Sequence, residues 1–254
     1  MNVREIRPRV LHIEESYRVY CTLIRGETRA ILFDTGLGEQ DLSAFVRTNA
    51  PGECLVLCSH GHYDHVGGID AFASVYLNGA DRPLLQGAHA GTRLLPLEPG
   101  TAFDLGGLHA RAVPLAGHTR GSIGLLIPEE RLLLAGDALS PRLQLLGPGT
   151  ASLNALRETL QHTPDLPFDT FLAGHYPNEI PKRQISAHLA HLEAFRWSDT
   201  RPARFGGIDC LRSDRRGPEG HSTFLFDRSL EVKPDGDCGS SMGTAGGTAD
   251  PSGL

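Results

Sequence analysis

Three histidines and an aspartate fall within six residues in "HGHYDH", His60 to His65, and the apolar run "CLVLC" leads almost directly into them. A short apolar run bounded by polar and glycine residues predicts a buried strand. The histidine-rich stretch is then a loop leaving the strand's C-terminal end, where ligands of open α/β sheets gather. Gly61 permits a tight turn that puts His60 and His62 on one side, while Asp64 and His65 address a second point nearby. In a chain of this composition an HxHxDH match arises by chance on the order of two times in a thousand, so the spacing carries information.

Strand ends elsewhere repeat the arrangement. Asp34 closes "ILFDTG", His118 closes "LAGH", Asp137 closes "LLLAGD" and His175 closes "FLAGH". The last three share an apolar run, a small residue and a glycine ahead of a potential ligand. Gly117, Gly136 and Gly174 are expected to let the backbone approach a shared centre without a Cβ in the way. Taken singly, each terminal His or Asp is an ordinary turn or capping residue. Taken together, His60, His62, Asp64, His65, His118, Asp137 and His175 supply enough donors for two divalent ions, and burying them without a metal would leave several polar groups unsatisfied. Asp34 is assigned to orienting a ligand histidine rather than to ligation.

The rest of the chain predicts one layered α/β domain over residues 1–233 and a disordered Gly/Ser/Thr-rich tail over 234–254. "RAILF" and "ECLVLC" read as strands joined by a helix through Leu42, Phe45 and Val46, a unit that implies parallel pairing. "SIGLLIP" and "RLLLAGD" read as a hairpin, so the sheets are mixed. Two more helices are expected, one with Leu153, Leu156 and Leu160 on a face, the other with Ile185, Leu189, Leu192 and Phe195, and Pro181 in its first turn. His188 and His191 on that helix are expected at the surface. After Trp197 the chain reads as irregular except for a strand in "STFLFD".

Lys plus Arg number 24 against 30 for Asp plus Glu, and the formal charge of -6 offers no footprint for nucleic acid. No apolar run approaches membrane-spanning length, and "MNVREIRPRV" lacks the apolar core of a signal peptide. Five cysteines without CxxC spacing argue against a disulfide framework or a thiolate zinc site. A cytoplasmic protein acting on a small molecule, with no nucleic-acid or membrane partner, is the expectation.

"HGHYDH", with "GHTRGS" around His118, the "GD" of Asp137 and the "GH" of His175, resembles the metallo-β-lactamase-fold hydrolase superfamily. The resemblance spans roughly residues 10 to 230 and implies a four-layer αββα sandwich of two mixed β-sheets flanked by helices, with metals at one edge. It implies that His60, His62 and His118 bind one ion, that Asp64, His65 and His175 bind a second, and that Asp137 bridges them. Zinc is the expected metal, with iron or manganese compatible with the same donors. A hydroxide shared by two ions would attack an ester, thioester or lactone, and Asp64 would hydrogen-bond that hydroxide as a catalytic residue. Ala116 stands where many members have proline before "GH".

Within the superfamily, the bridging Asp137 separates the chain from authentic β-lactamases. The resemblance is to glyoxalase II-like or lactonase-like members. Glyoxalase II-like enzymes fit the ligand set but carry an added helical domain, whereas the residues after the last expected helix read mostly as loop or tail, and the acidic composition does not suit tRNA-processing members. His62 stands where di-iron oxygen reductases carry Glu. A mononuclear iron oxygenase resembling persulfide dioxygenases is the alternative. "LSPRLQLLGPG" is expected to cover the cleft, with Leu143, Leu145 and Leu146 either core or an apolar substrate wall and Arg142 exposed. Tyr63 and Tyr176 are rim residues that face substrate or solvent.

Overall fold

The structure, a computed structural model, describes residues 1–87, 89 and 91–230. The expected tail over 234–254 lies outside the described residues.

The N-terminal half builds a seven-stranded sheet in sequential order: β1 (Asn2–Arg7), β2 (Val10–Glu14), β3 (Tyr20–Arg25), β4 (Arg29–Phe33), β5 (Glu53–Leu57), β6 (Ser74–Leu77) and β7 (Arg93–Pro96). β1 and β2 pair antiparallel, as do β2 with β3 and β3 with β4. Helix α1 (Leu42–Asn49) connects β4 to β5, and those strands pair parallel as the strand–helix–strand reading required. The Asp41 carboxylate caps α1 by accepting from the Ala44 N–H. Directly after β5 comes α2 (Tyr63–Val66), a single turn carrying Asp64 and His65.

β8 (Ala102–Asp104), β9 (His109–Pro114), β10 (Ile123–Ile127) and β11 (Leu132–Leu134) open a second sheet, in which β10 and β11 form the expected hairpin. β12 (Arg142–Leu145) leaves it, helix α3 (Leu153–His162) crosses, and β13 (Thr170–Leu172) and β14 (Ile180–Pro181) return to its far edge. Pro181 therefore pairs with Thr170 in β14 instead of opening α4 (Arg183–Ala194).

β4, β5, β10 and β11 read as unbroken apolar runs because both of their faces are covered. Ile31, Leu57, Leu125 and Leu134 pack between the two sheets, Leu32 and Val56 pack outward against Leu42 and Val46 of α1, and Leu126 and Leu133 pack outward against Leu156 and Ile185 of α3 and α4. The result is the expected αββα sandwich of mixed sheets.

A third sheet departs from the sequence reading. β15 (Arg201–Phe205), β16 (Ile208–Gly217) and β17 (Gly220–Phe226) form an antiparallel meander, and β12 adds to β17 in parallel. The segment reads as irregular because its outward residues are Arg and Asp. The missed signal was Gly206-Gly207, both at positive φ between the paired Phe205 and Ile208, the backbone of a two-residue hairpin turn. This sheet packs on α4 and buries a second face of it. His188 and His191 are consequently 0% and 3% exposed and not surface residues.

Candidate metal centre

β9 and β11 both run antiparallel to β10, and β13 runs parallel to β11, so β9, β11 and β13 all end at one edge of the second sheet. His118, Asp137 and His175 leave from those ends. In the other sheet β5 delivers His60, His62, Asp64 and His65, and all seven predicted residues meet. Gly174 is required by close approach: a Cβ there would lie 2.5 Å from Asp137 Oδ1 and 2.5 Å from His65 Cε1. Gly117 does not face the centre as expected; its nearest neighbour is Leu156 of α3.

The donor atoms of His60, His62 and His118 lie within 4.8 Å of one another, as do those of His60, His65 and Asp137 and those of Asp64, His65 and His175. His175 Nε2 is 3.2 Å from both Asp64 Oδ2 and Asp137 Oδ2, and the Asp137 carboxylate is 3.5 Å from His65 Nε2 and 3.7 Å from His118 Nε2. Asp137 thus touches both halves of the cluster.

Each histidine has its other ring nitrogen pinned. His118 Nδ1 donates to the Gln144 carbonyl (2.6 Å), His62 Nε2 to the Pro148 carbonyl (2.9 Å), His175 Nδ1 to the Arg18 carbonyl (3.2 Å) and His65 Nδ1 to the Asp34 carboxylate (2.8 Å). Ser59 Oγ donates to Asp34 and so accepts from His60 Nδ1, each at 2.9 Å. Those acceptors leave every inward nitrogen of a neutral ring as a bare lone pair. His60 Nε2 and His65 Nε2 are buried without a hydrogen-bond partner among the described residues. His118 Nε2 and His62 Nδ1 face each other at 2.9 Å, lone pair toward lone pair. Five imidazole lone pairs and two carboxylates around one small volume are a donor set that fits divalent cations.

Without a metal, protons on His65 and His175 supply the positive charge that cations would bring: burial opposes a charged His65, but Asp137, Asp34 and Asp64 raise its pKa well above the usual histidine value. Burial works against charging Asp137 and Asp64, yet His65 and His175 outweigh it, holding Asp137 well below the usual carboxylate range and Asp64 at about 2. Burial likewise opposes a charged His175, but Asp137 and Asp64 raise its pKa to about 9. Burial pushes the His60 ring well down, and the neighbouring His65 and His118 push it further.

Asp34 takes the orienting position expected of it. Its left-handed backbone, φ +67°, aims one carboxylate at Ser59 N–H, Ser59 Oγ and His65 Nδ1 together. Leu143, Leu145 and Leu146 are core, and exposed Arg142 stacks its guanidinium on Phe205. Tyr63 and Tyr176 are exposed.

Asp81 was not recognised from sequence. Fully buried, it accepts from Gly61 N–H (3.0 Å), Thr119 Oγ (2.6 Å) and Gly121 N–H (2.8 Å), clamping the loop of His60 and His62 to the loop of His118. Nothing in "NGADRP" signals this, because its partners lie 20 to 40 residues away.

A family model described as the metallo-beta-lactamase superfamily matches residues 17–175. The lactamase-like protein ptaB of Pestalotiopsis fici is 30% identical over 135 residues, which is 52% of this chain and 40% of that protein. The acyl-coenzyme A thioesterase MBLAC2 of Gallus gallus is 26% identical over 164 residues, 50% of this chain and 59% of that one. The chain thus spans about half the length of these curated relatives. A metallo-beta-lactamase from Pontibacter korlensis superposes with a TM-score of 0.62 at 20% identity, covering 76% of this chain and 99% of that structure, a likeness of fold.

Proposed function

The chain belongs to the metallo-beta-lactamase superfamily, and from that premise we propose that it is a dinuclear hydrolase cleaving a small ester, thioester or lactone. One observation carries the reading: five histidines whose outer nitrogens are all held, leaving five inward lone pairs beside two carboxylates. His60, His62 and His118 would hold one ion and Asp64, His65 and His175 a second, with Asp137 between them. Zinc suits the imidazole-rich set, and iron and manganese are compatible with it.

With divalent ions held by these residues, the chemistry supplied would be Lewis acidity that makes water available as hydroxide near pH 7. The chain's own part is orientation and charge. Asp64, ionised at neutral pH, accepts a hydrogen bond from the attacking water and turns its lone pair toward the substrate carbonyl. Asp34, Gln144, Pro148 and Arg18 keep the rings from turning away. The thioester arm is supported by the relative named an acyl-coenzyme A thioesterase. None of the described helices is long and apolar enough to cross a membrane, and the four described cysteines, all free, suit a reducing cytoplasm. The acidic balance favours a small substrate over nucleic acid.

The test is elemental analysis of protein purified without added metal, followed by ester, thioester and lactone panels. Two zinc or manganese per chain with hydrolysis is the expected result. One iron per chain with oxygen uptake, or turnover that survives complete removal of metal, overturns it.

A further inference from the structure

We infer that His188, which is not one of the candidate ligands, is a positioning residue for the His62 and His118 half of the metal centre, acting through the backbone of residues 140–149. This rests on the proposed function, since it concerns the same site.

One ten-residue segment presents four main-chain carbonyls to this end of the molecule. Gln144 and Pro148 accept from His118 and His62, and Gly149 accepts from the Arg120 N–H at 2.9 Å. The fourth, Ser140, accepts from His188 Nε2 at 2.7 Å. The segment belongs to neither large sheet. Among the described residues its strand β12 pairs only with β17, placing Arg142 opposite Thr223 and Gln144 opposite Leu225. Where the carbonyls of Gln144 and Pro148 sit therefore depends on how the third sheet is fastened to α4.

That fastening is a chain of hydrogen bonds with one direction. A carbonyl oxygen only accepts, so His188 Nε2 carries the proton and its Nδ1 is an acceptor; Gln184 Nε2, at a longer 3.3 Å, does not alter this. Ser222 Oγ then donates to His188 Nδ1 (2.8 Å) and accepts from His191 Nδ1 (2.9 Å), which leaves His191 Nε2 to accept from Ser213 Oγ (2.9 Å). The order runs Ser213, His191, Ser222, His188, Ser140, from β16 through α4 and β17 to the first residues after Asp137. All four side chains are buried, none more than 3% exposed. Cutting the chain leaves polar groups in the interior unpaired.

The test measures zinc affinity by chelator competition in a His175→Ala background, which removes a ligand of the second ion's group while keeping His60, His62, His118 and the Asp137 carboxylate beside them. His188→Leu is expected to weaken that affinity by about 10–100-fold, the range for residues that orient ligands. His188→Gln, which can still donate to Ser140, is expected to restore most of it. Should the leucine variant fail to fold, Ser222→Ala, a loss of one oxygen, is expected to weaken zinc binding in the same direction. Wild-type affinity in folded His188→Leu, or in Ser222→Ala, overturns the inference while leaving the proposed function standing. Absence of zinc binding in the unmutated chain overturns the proposed function and, with it, this inference.

Discussion

The Nδ1 of His65 lies 2.8 Å from Oδ2 of Asp34, and the pair is almost wholly closed to solvent. Because the same carboxylate also takes the Ser59 amide and hydroxyl, it orients His65 directly and His60 through Ser59, one ring in each half of the cluster. Asp34→Asn keeps the shape but replaces one accepting oxygen with a donor. It is expected to lower affinity for both ions by about 10–100-fold, read by chelator competition. Unchanged affinity would show that Asp34 does not orient these rings.

Asp81 is the second clamp, and its partners are two amides and a hydroxyl. Asp81→Ala leaves the Gly61 and Gly121 amides without this acceptor in the interior, while Thr119 Oγ keeps its hydrogen bond with Ser122 Oγ. The expected cost is about 3 kcal/mol or more in a chemical denaturation midpoint, together with weaker metal binding at His60, His62 and His118. A midpoint within 0.5 kcal/mol of wild type would contradict the clamp.

Gly174→Ala is a steric probe of how tightly the two sheets' ligands converge. The added methyl would sit 2.5 Å from atoms of both Asp137 and His65, so one of them must move. Metal content after dialysis against a weak chelator is expected to fall by at least about tenfold, with the circular dichroism of the folded chain retained. Full metal content would mean the site is looser than its geometry.

Burial lowers the pKa of both His188 and His191 from 6.5 to about 4. The charged neighbours Asp214, Arg215 and His221 act on the pair, and Ser213, Ser222, Gln184 and the Ser140 carbonyl are its polar contacts. A histidine kept neutral in the folded chain and protonated in the unfolded one contributes stability that is complete above about pH 6.5 and lost as pH falls toward 4. Urea midpoints of metal-free protein from pH 7.5 to 4.5 are expected to decline less steeply in a His188→Gln, His191→Gln chain than in wild type. Parallel slopes would refute the burial of neutral rings.

All seven ligand candidates were legible because their signal is local: an apolar run, a glycine, then a donor, with four donors packed into "HGHYDH". The βαβ unit and the β10–β11 hairpin were legible for the same reason, since periodicity and turn residues act over a few positions. The family model's match to residues 17–175 bears out the superfamily resemblance that these motifs carried. Asp81, the Gln144 and Pro148 carbonyls and the buried pair His188 and His191 were not legible, because each is defined by a partner 20 to 86 residues away. Sequence by itself determined which side chains could meet at a strand edge. Only the tertiary structure decided which nitrogen of each ring faces inward, because that depends on which carbonyl or carboxylate packing brings behind it.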